Sequence, residues 1–273
     1  MPAPAEPAVL AHGASIAAGY TVLRLINRST FLDVYDVWSE ERACHCVAKV
    51  MRPDRRDDRD LERDLLREGR LLKRLTHPHL VHAYEVMDEP EPIVIFEPLA
   101  GPTLAELVHC GKRRLTLASI AHLGIHLCAA LHYLHGHRLL HLDVKPANIV
   151  AVGQIAKLLD LSLARPPGRG RAKWGTHEYM APEQVRGGRF SPATDVWGIG
   201  VVLYESATAR QAFPAGKDES SYAQLEGPAP PIGHYRRVPA RLAAFVERCL
   251  SPEPADRPTL EAVMAALETI AGC

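Results

Sequence analysis

Apolar and polar residues alternate with period two where the chain first becomes regular. Thr21-Val22-Leu23-Arg24-Leu25-Ile26 reads as a strand, Asn27 to Thr30 as a turn, Phe31 to Trp38 as the returning strand and Cys44 to Met51 as a third. Over residues 57–75 the period lengthens to that of a helix, with Leu61, Leu65, Leu66 and Leu72 in one stripe and the charges on a solvated face. His77 to Val81 closes this helix, Ile93 to Glu97 reads as a short buried strand, and Pro98-Leu99-Ala100-Gly101 as a linker. Past Thr103 the pattern is mainly helical, with one long helix over residues 116–136 ending near Gly136. The apolar pairs Leu139-Leu140, Ile149-Val150 and Leu158-Leu159 then bracket a polar loop, and residues 211–240 are loop-rich. Residues 1–17, rich in Ala and Pro without a cationic start, are expected to be a flexible tail.

Composition narrows the classes. The 273 residues suffice for one large domain or two lobes, and 47% hydrophobic with 23% charged residues is an ordinary globular mixture. Lys plus Arg equals Asp plus Glu, so no bulk attraction to nucleic acid or membrane is expected. No apolar run is read as approaching the roughly 18 residues of a membrane span. The six cysteines lack framework spacing, which points to reduced thiols and a cytoplasmic location. Cys44 and Cys46 alternate onto one strand face as small core residues. His122 and His126 lie one helical turn apart without the Glu of a zinc protease motif. No repeat, further domain or tether is expected.

The chemistry concentrates in His141-Leu142-Asp143-Val144-Lys145-Pro146-Ala147-Asn148, followed by Asp160. Phosphoryl transfer needs one carboxylate to orient a hydroxyl, and an amide oxygen with a second carboxylate to hold magnesium against phosphates. This octet resembles the catalytic loop of protein kinases. Other parts of the family pattern follow in order: Lys49 on the third strand, Glu68 on the first long helix, Gly175 to Glu183 with its Ala181-Pro182-Glu183, Asp195 opening an apolar helix, and Arg257 as the expected ion-pair partner of Glu183. From about residue 19 to 270 the chain is similar to bacterial Ser/Thr protein kinases of the eukaryotic type. Aminoglycoside-type phosphotransferases share an Asp…Asn…Asp set but are not expected to combine it with Lys145, Thr176 and Ala-Pro-Glu.

The resemblance implies an α+β, two-lobed fold: a small antiparallel-sheet lobe with one main helix over 18–97, a mainly helical lobe over 98–273, and a hinge near 97–101. It implies ATP with Mg2+ or Mn2+ as cofactors. Asp143 would orient the acceptor hydroxyl, Lys145 with Thr176 would mark the Ser/Thr class, and Asn148 and Asp160 would hold the metal. Glu68 would steady Lys49 on the α- and β-phosphates. Ile26, Asn27, Ser29 and Val34 would border the phosphate-covering loop, while Val47, Phe96, Glu97, Leu99 and Val150 would surround the purine. The implied partner is a protein substrate or regulatory protein, with neither nucleic acid nor membrane.

Several positions depart from the family. Asn27, Ser29 and Leu32 stand in place of three glycines, Val47 in place of a smaller Ala, and Leu161-Ser162 in place of Phe-Gly. Leu142 stands where most of the family has the Arg that pairs with a phosphorylated activation loop, and residues 163–175 contain no Ser, Thr or Tyr to carry that phosphate. The expectation is a kinase not switched on by activation-loop phosphorylation. The competing expectation is a pseudokinase scaffold, which the altered loop, Val47 and Ser162 would suit. Arg165, Arg169, Arg171 and Lys173 make the segment basic, as a solvated loop or as an attraction for an acidic partner.

Overall fold

A computed structural model describes residues 7–112, 114–216, 218 and 220–272. The chain divides into two compact units, with the boundary between Ala100 and Gly101.

The first unit is built on a six-stranded antiparallel sheet of order β1-β2-β3-β4-β6-β5. Its strands are β1 (Ser15–Ala17), β2 (Tyr20–Arg28), β3 (Leu32–Ser39), β4 (Cys44–Met51), β5 (Ala83–Met87) and β6 (Ile93–Phe96). Alternation puts Tyr20, Val22, Tyr35, Val37, Cys46, Ala48, Ile93 and Ile95 into one core cluster, with Cys44 packed beside it. Helix α1 (Arg59–Arg74) lies between β4 and β5 in sequence, and its stripe buries Leu65, Leu66 and Leu72. Asp58 caps α1 by accepting the Leu61 N–H; Asp60 and Glu62 in the first turn and Lys73 and Arg74 in the last suit the helix dipole.

The flexible tail expected over residues 1–17 is corrected. Ser15–Ala17 forms β1 against Thr21 and Tyr20, and Gly13 N–H and Val22 N–H bond to Val22 and Ala14 carbonyls. Further upstream, Leu10 N–H donates to the Tyr35 hydroxyl and the Arg28 guanidinium to the Pro7 carbonyl. Pairing of backbone groups with the sheet edge, which composition does not register, orders this segment. Residues 1–6 lie outside the described residues.

The second unit is mainly helical. In order it contains a π-helical turn (Glu106–Cys110), α2 (Leu117–Gly136), hairpin β7 (Ile149–Val152) and β8 (Ile155–Leu158), β9 (Gly168–Arg169), α3 (Pro182–Arg186), β10 (Arg189–Phe190) and α4 (Pro192–Thr208), then α5 (Ala223–Glu226), α6 (Ala240–Cys249) and α7 (Leu260–Ala271). Helix α2 starts at Thr116, whose hydroxyl accepts the Ser119 N–H. One expectation fails here: α2 is 20 residues long with mean hydropathy 1.4, enough in length and composition for a membrane span. Its apolarity has a packing cause, since Ile120, Leu127, Leu131 and Leu134 are buried and the helix packs on α4 and α7. Helix α4 is buried from Thr194 to Thr208 and forms the centre of the unit.

Candidate active site

In the first unit, the sheet face opposite the core cluster carries Asn27, Val34, Val47 and Lys49: Val34 is in register with both Asn27 and Lys49, and Val47 with Phe96. Lys49 Nζ donates to both carboxylate oxygens of Glu68, at 3.0 and 2.8 Å, and Glu68 is 2% exposed. Gly69 makes this contact attainable. A Cβ there would stand 2.6 Å from Val94 Cγ2 and 2.9 Å from Val86 Cγ2, so only glycine lets α1 approach the sheet this closely.

The turn between β2 and β3 has become self-contained. Ser29 Oγ accepts the N–H groups of Phe31 (3.3 Å) and Leu32 (3.0 Å), and Ser29 N–H donates to the Leu32 carbonyl. Amides that a glycine loop would offer to phosphate are turned onto a serine hydroxyl. Below the turn, Arg28 makes a two-pronged ion pair with buried Asp33, both contacts 2.7 Å. Ile26 is exposed in β2. Phe96 is buried, Leu99 half-buried, and Glu97 pairs through its N–H and carboxylate with the backbone of His82.

The second unit assembles the polar loop around Asp143. Its Oδ1 accepts the Thr176 hydroxyl (2.7 Å) and backbone N–H (3.3 Å); its Oδ2 accepts Lys145 Nζ (2.7 Å) and Asn148 Nδ2 (3.0 Å). Lys145 also donates to the Thr176 hydroxyl. Asn148 Nδ2 bonds the Asp143 carbonyl as well, so the amide oxygen is the Asn148 atom left to meet a cation. Asp160 adopts φ +62 and accepts the Ser162 N–H on Oδ1. A carboxylate and an amide oxygen are hard donors, and two protein ligands are what magnesium takes when phosphates and water complete its shell. The residues fit that metal. Val150 is buried in β7, bridged to Thr103 and in register with Lys157.

The loop is fixed from beneath by Asp195 of α4. Its Oδ2 accepts the His141 N–H (2.9 Å) and its Oδ1 the Leu142 N–H (2.8 Å), while His135 Nε2 lies 2.8 Å from Oδ2. Leu142 sits at φ +66, a conformation that strains a non-glycine residue by roughly 1–2 kcal/mol. Three contacts offset this: the bond from its N–H to Asp195, the Gln184 amide donating to its carbonyl (2.8 Å), and burial of its side chain with Leu140, Phe190 and Leu163.

Backbone pairing and side-chain contacts hold the segment after Asp160. Gly168 and Arg169 pair with Phe190 and Arg189; Leu140 and Arg165 exchange backbone bonds; Lys173 N–H donates to the Gln184 carbonyl. The Arg165 guanidinium lies over the Trp174 ring, 3.2 Å from its centroid, and Gln184 Nε2 also binds the Trp174 carbonyl. Glu183 and Arg257 form a buried pair at 2.7 and 2.8 Å. Buried Glu205 meets His109 Nε2 at 2.9 Å and accepts the Tyr179 hydroxyl (3.3 Å). The bond to Glu205 raises the His109 pKa above its ordinary 6.5, and burial raises that of Tyr179.

The sequence-based set therefore falls into two groups: Ile26 through Leu99 in the first unit, and Asp143, Lys145, Asn148, Val150 and Asp160 in the second. Sequence reasoning missed Gln184 and His135. Gln184 follows a recognisable motif without belonging to it, and His135 looks like one more polar position on α2; their partners are backbone and a carboxylate far along the chain.

A family model described as "Protein kinase domain" matches residues 20–267. The chain is 30% identical to the serine/threonine-protein kinase PknD of Chlamydia pneumoniae over 87% of its length and 29% of that protein's. It is 30% identical to myosin light chain kinase 3 of Homo sapiens over 74% and 26%, and to the serine/threonine-protein kinase PknB of Mycobacterium tuberculosis over 81% and 37%, respectively. The chain thus spans between 26% and 37% of the length of these curated relatives.

Proposed function

The chain belongs to the protein kinase domain family, and from that premise we propose that it transfers the γ-phosphoryl group of ATP to serine or threonine hydroxyls of protein substrates. The observation that carries this reading is the Asp143 carboxylate, which already accepts a hydrogen bond from a hydroxyl, Thr176 Oγ1 at 2.7 Å. An acceptor hydroxyl in the same relation would be oriented and deprotonated by Asp143, while Lys145 on Oδ2 keeps the carboxylate aimed. Asn148 and Asp160 would hold Mg2+, or Mn2+ in its place. The bound metal would neutralise phosphate charge. Lys49, fixed by Glu68, would take the α- and β-phosphates.

Transfer on this reading proceeds without activation-segment phosphorylation. Leu142 is committed to apolar contacts, and residues 163–175 offer no hydroxyl. A reducing, cytoplasmic compartment suits the free thiols Cys44, Cys46, Cys110, Cys128 and Cys249.

A second reading, a scaffold that binds nucleotide without turnover, has the Ser29-closed turn in its favour. Phosphate transfer to a generic protein substrate, measured for wild type, Asp143→Ala and Asp160→Ala, separates the two. The enzyme reading expects Asp143→Ala to lose about 10²–10⁴ in rate and Asp160→Ala to lose transfer with its metal ligand. Equal signals from all three proteins would end it. A nucleotide-dependent rise in Tm abolished by Lys49→Ala, without turnover, would leave the scaffold.

A further inference from the structure

We propose that the cations on residues 169–189 select substrates, binding Asp- and Glu-rich protein segments beside the acceptor hydroxyl; this rests on the phosphotransfer reading above. Arg169, Arg171, Lys173, Arg186 and Arg189 are all exposed, and none forms an ion pair with a described residue. Lys173 Nζ instead lies over the Tyr222 ring, 5.5 Å from its centroid.

Their arrangement is self-repelling. Arg169 and Arg189 are direct cross-strand partners in β9–β10, a placement in which like charges destabilise a sheet. The flanking backbone brings the others close: Lys173 N–H donates to Gln184, Gly170 N–H to Gly188, and a Cβ on Gly187 would stand 2.9 Å from Ala172 N. Two short segments carrying five like charges are thereby stitched side by side.

Several arginines elsewhere on the surface are paired. On α1, Arg59 pairs with Glu62 at 2.7 Å and Arg63 with Asp60 at 2.9 Å, while Arg70 reaches Asp88 on a neighbouring segment. A chain with equal numbers of acids and bases has carboxylates to spare for this region and does not place them there. The acids closest in sequence are Glu178, two residues past Thr176, and Glu183, which is taken by Arg257. The anion that suits these guanidinium groups has to come from another molecule, and planar carboxylates match their paired N–H donors.

Position makes the cluster a specificity element. Lys173 is three residues from Thr176, so their Cα atoms are at most about 11 Å apart. Thr176 contacts Asp143 directly, and Gln184 joins this segment to Leu142, the residue before Asp143. An extended substrate with its hydroxyl at Asp143 would carry residues roughly two to five positions away past these cations.

The test uses the full chain and three labelled peptides of equal length with one serine flanked by Asp/Glu, by Ala or by Arg. Each is measured by fluorescence anisotropy without nucleotide and by phosphate transfer with Mg-ATP, against wild type, Arg169→Gln/Arg189→Gln and Arg169→Glu/Arg189→Glu. The last keeps a like-charge pair across the strands, so a fold defect and a recognition defect part company. The expected result is kcat/KM at least ten-fold higher for the acidic than for the Ala peptide. That advantage should shrink with added salt and vanish through KM in both variants, while transfer to the Ala peptide stays unchanged. Equal use of acidic and Ala peptides, or a preference that survives both variants, overturns the proposal. So does a phosphoserine-flanked peptide preferred ten-fold over the acidic one, or an oligonucleotide that displaces the acidic peptide at equal concentration. If no peptide is phosphorylated yet the acidic one still binds in a salt- and variant-sensitive way, the phosphotransfer reading fails and the acidic-binding surface stands.

Discussion

Replacing Leu142 by the arginine that the kinase resemblance leads one to expect there should damage this protein rather than improve it. The Leu142 side chain is 4% exposed and packs with Leu140, Phe190 and Leu163. Removing it forfeits about 1.5–3 kcal/mol of apolar burial. A guanidinium in the same place meets no phosphate, because residues 163–175 have no hydroxyl, and the adjacent Asp143 is occupied by Lys145, Asn148 and Thr176. An uncompensated buried charge is destabilising by about 3–5 kcal/mol, and escape along the flexible stem recovers part of that. A net loss of about 3 kcal/mol is a conservative floor, and at about 2–4 °C per kcal/mol for a chain this size it lowers Tm by about 6–12 °C. Leu142→Met, similar in volume and uncharged, should lose less than about 1.5 kcal/mol. Differential scanning fluorimetry on the three proteins, with limited proteolysis across residues 163–175, reads both the global and the local effect. A Leu142→Arg protein that melts within about 1 °C of wild type, or transfers phosphate faster, would show that the apolar cluster does not hold the segment.

Gly69→Ala sets about 1 kcal/mol of helix propensity against overpacking of about 1–3 kcal/mol on Val94 and Val86, and should pull Glu68 from Lys49; a variant as active as wild type and more stable would mean the helix simply rides outward. Ser29→Gly releases the Phe31 and Leu32 amides, so the KM for ATP should fall about ten-fold or more, on the order of 1.5–3 kcal/mol per recovered phosphate contact; an unchanged KM refutes the idea that the hydroxyl competes with phosphate. The raised pKa of His109 fixes a sign: its pairing with Glu205 stabilises fully below about pH 6.5 and fades as pH climbs through the higher folded value. The Tm difference between wild type and His109→Gln should therefore shrink from pH 5.5 toward about pH 9, and a difference that grows with pH contradicts the assignment.

Most of what carries the chemistry was written in the chain itself. The changes between period two and a helical period place the strands, α1 and α2, because a strand buries every second residue and a helix every third or fourth, while the division near residue 100 comes from the resemblance to protein kinases. The order and spacing of Lys49, Glu68, Asp143, Lys145, Asn148 and Asp160 resemble the protein kinase pattern and point to phosphoryl transfer, the reaction proposed above. Tertiary structure decided what local pattern does not encode. The Ala- and Pro-rich start looks unstructured until the sheet edge supplies partners for its backbone. Helix α2 is not read from the sequence as a possible span although its 20 residues are apolar enough for one, and its packing on α4 and α7 is what accounts for that apolarity. Ser29 passes for a poor glycine until its hydroxyl is found holding the loop amides, and the meaning of Gly69 depends on two valines on other strands. Apart from the Ser29 turn, whose partners are two and three residues away, each of these turns on a contact between positions separated in sequence, and all of them exist only once the chain has folded.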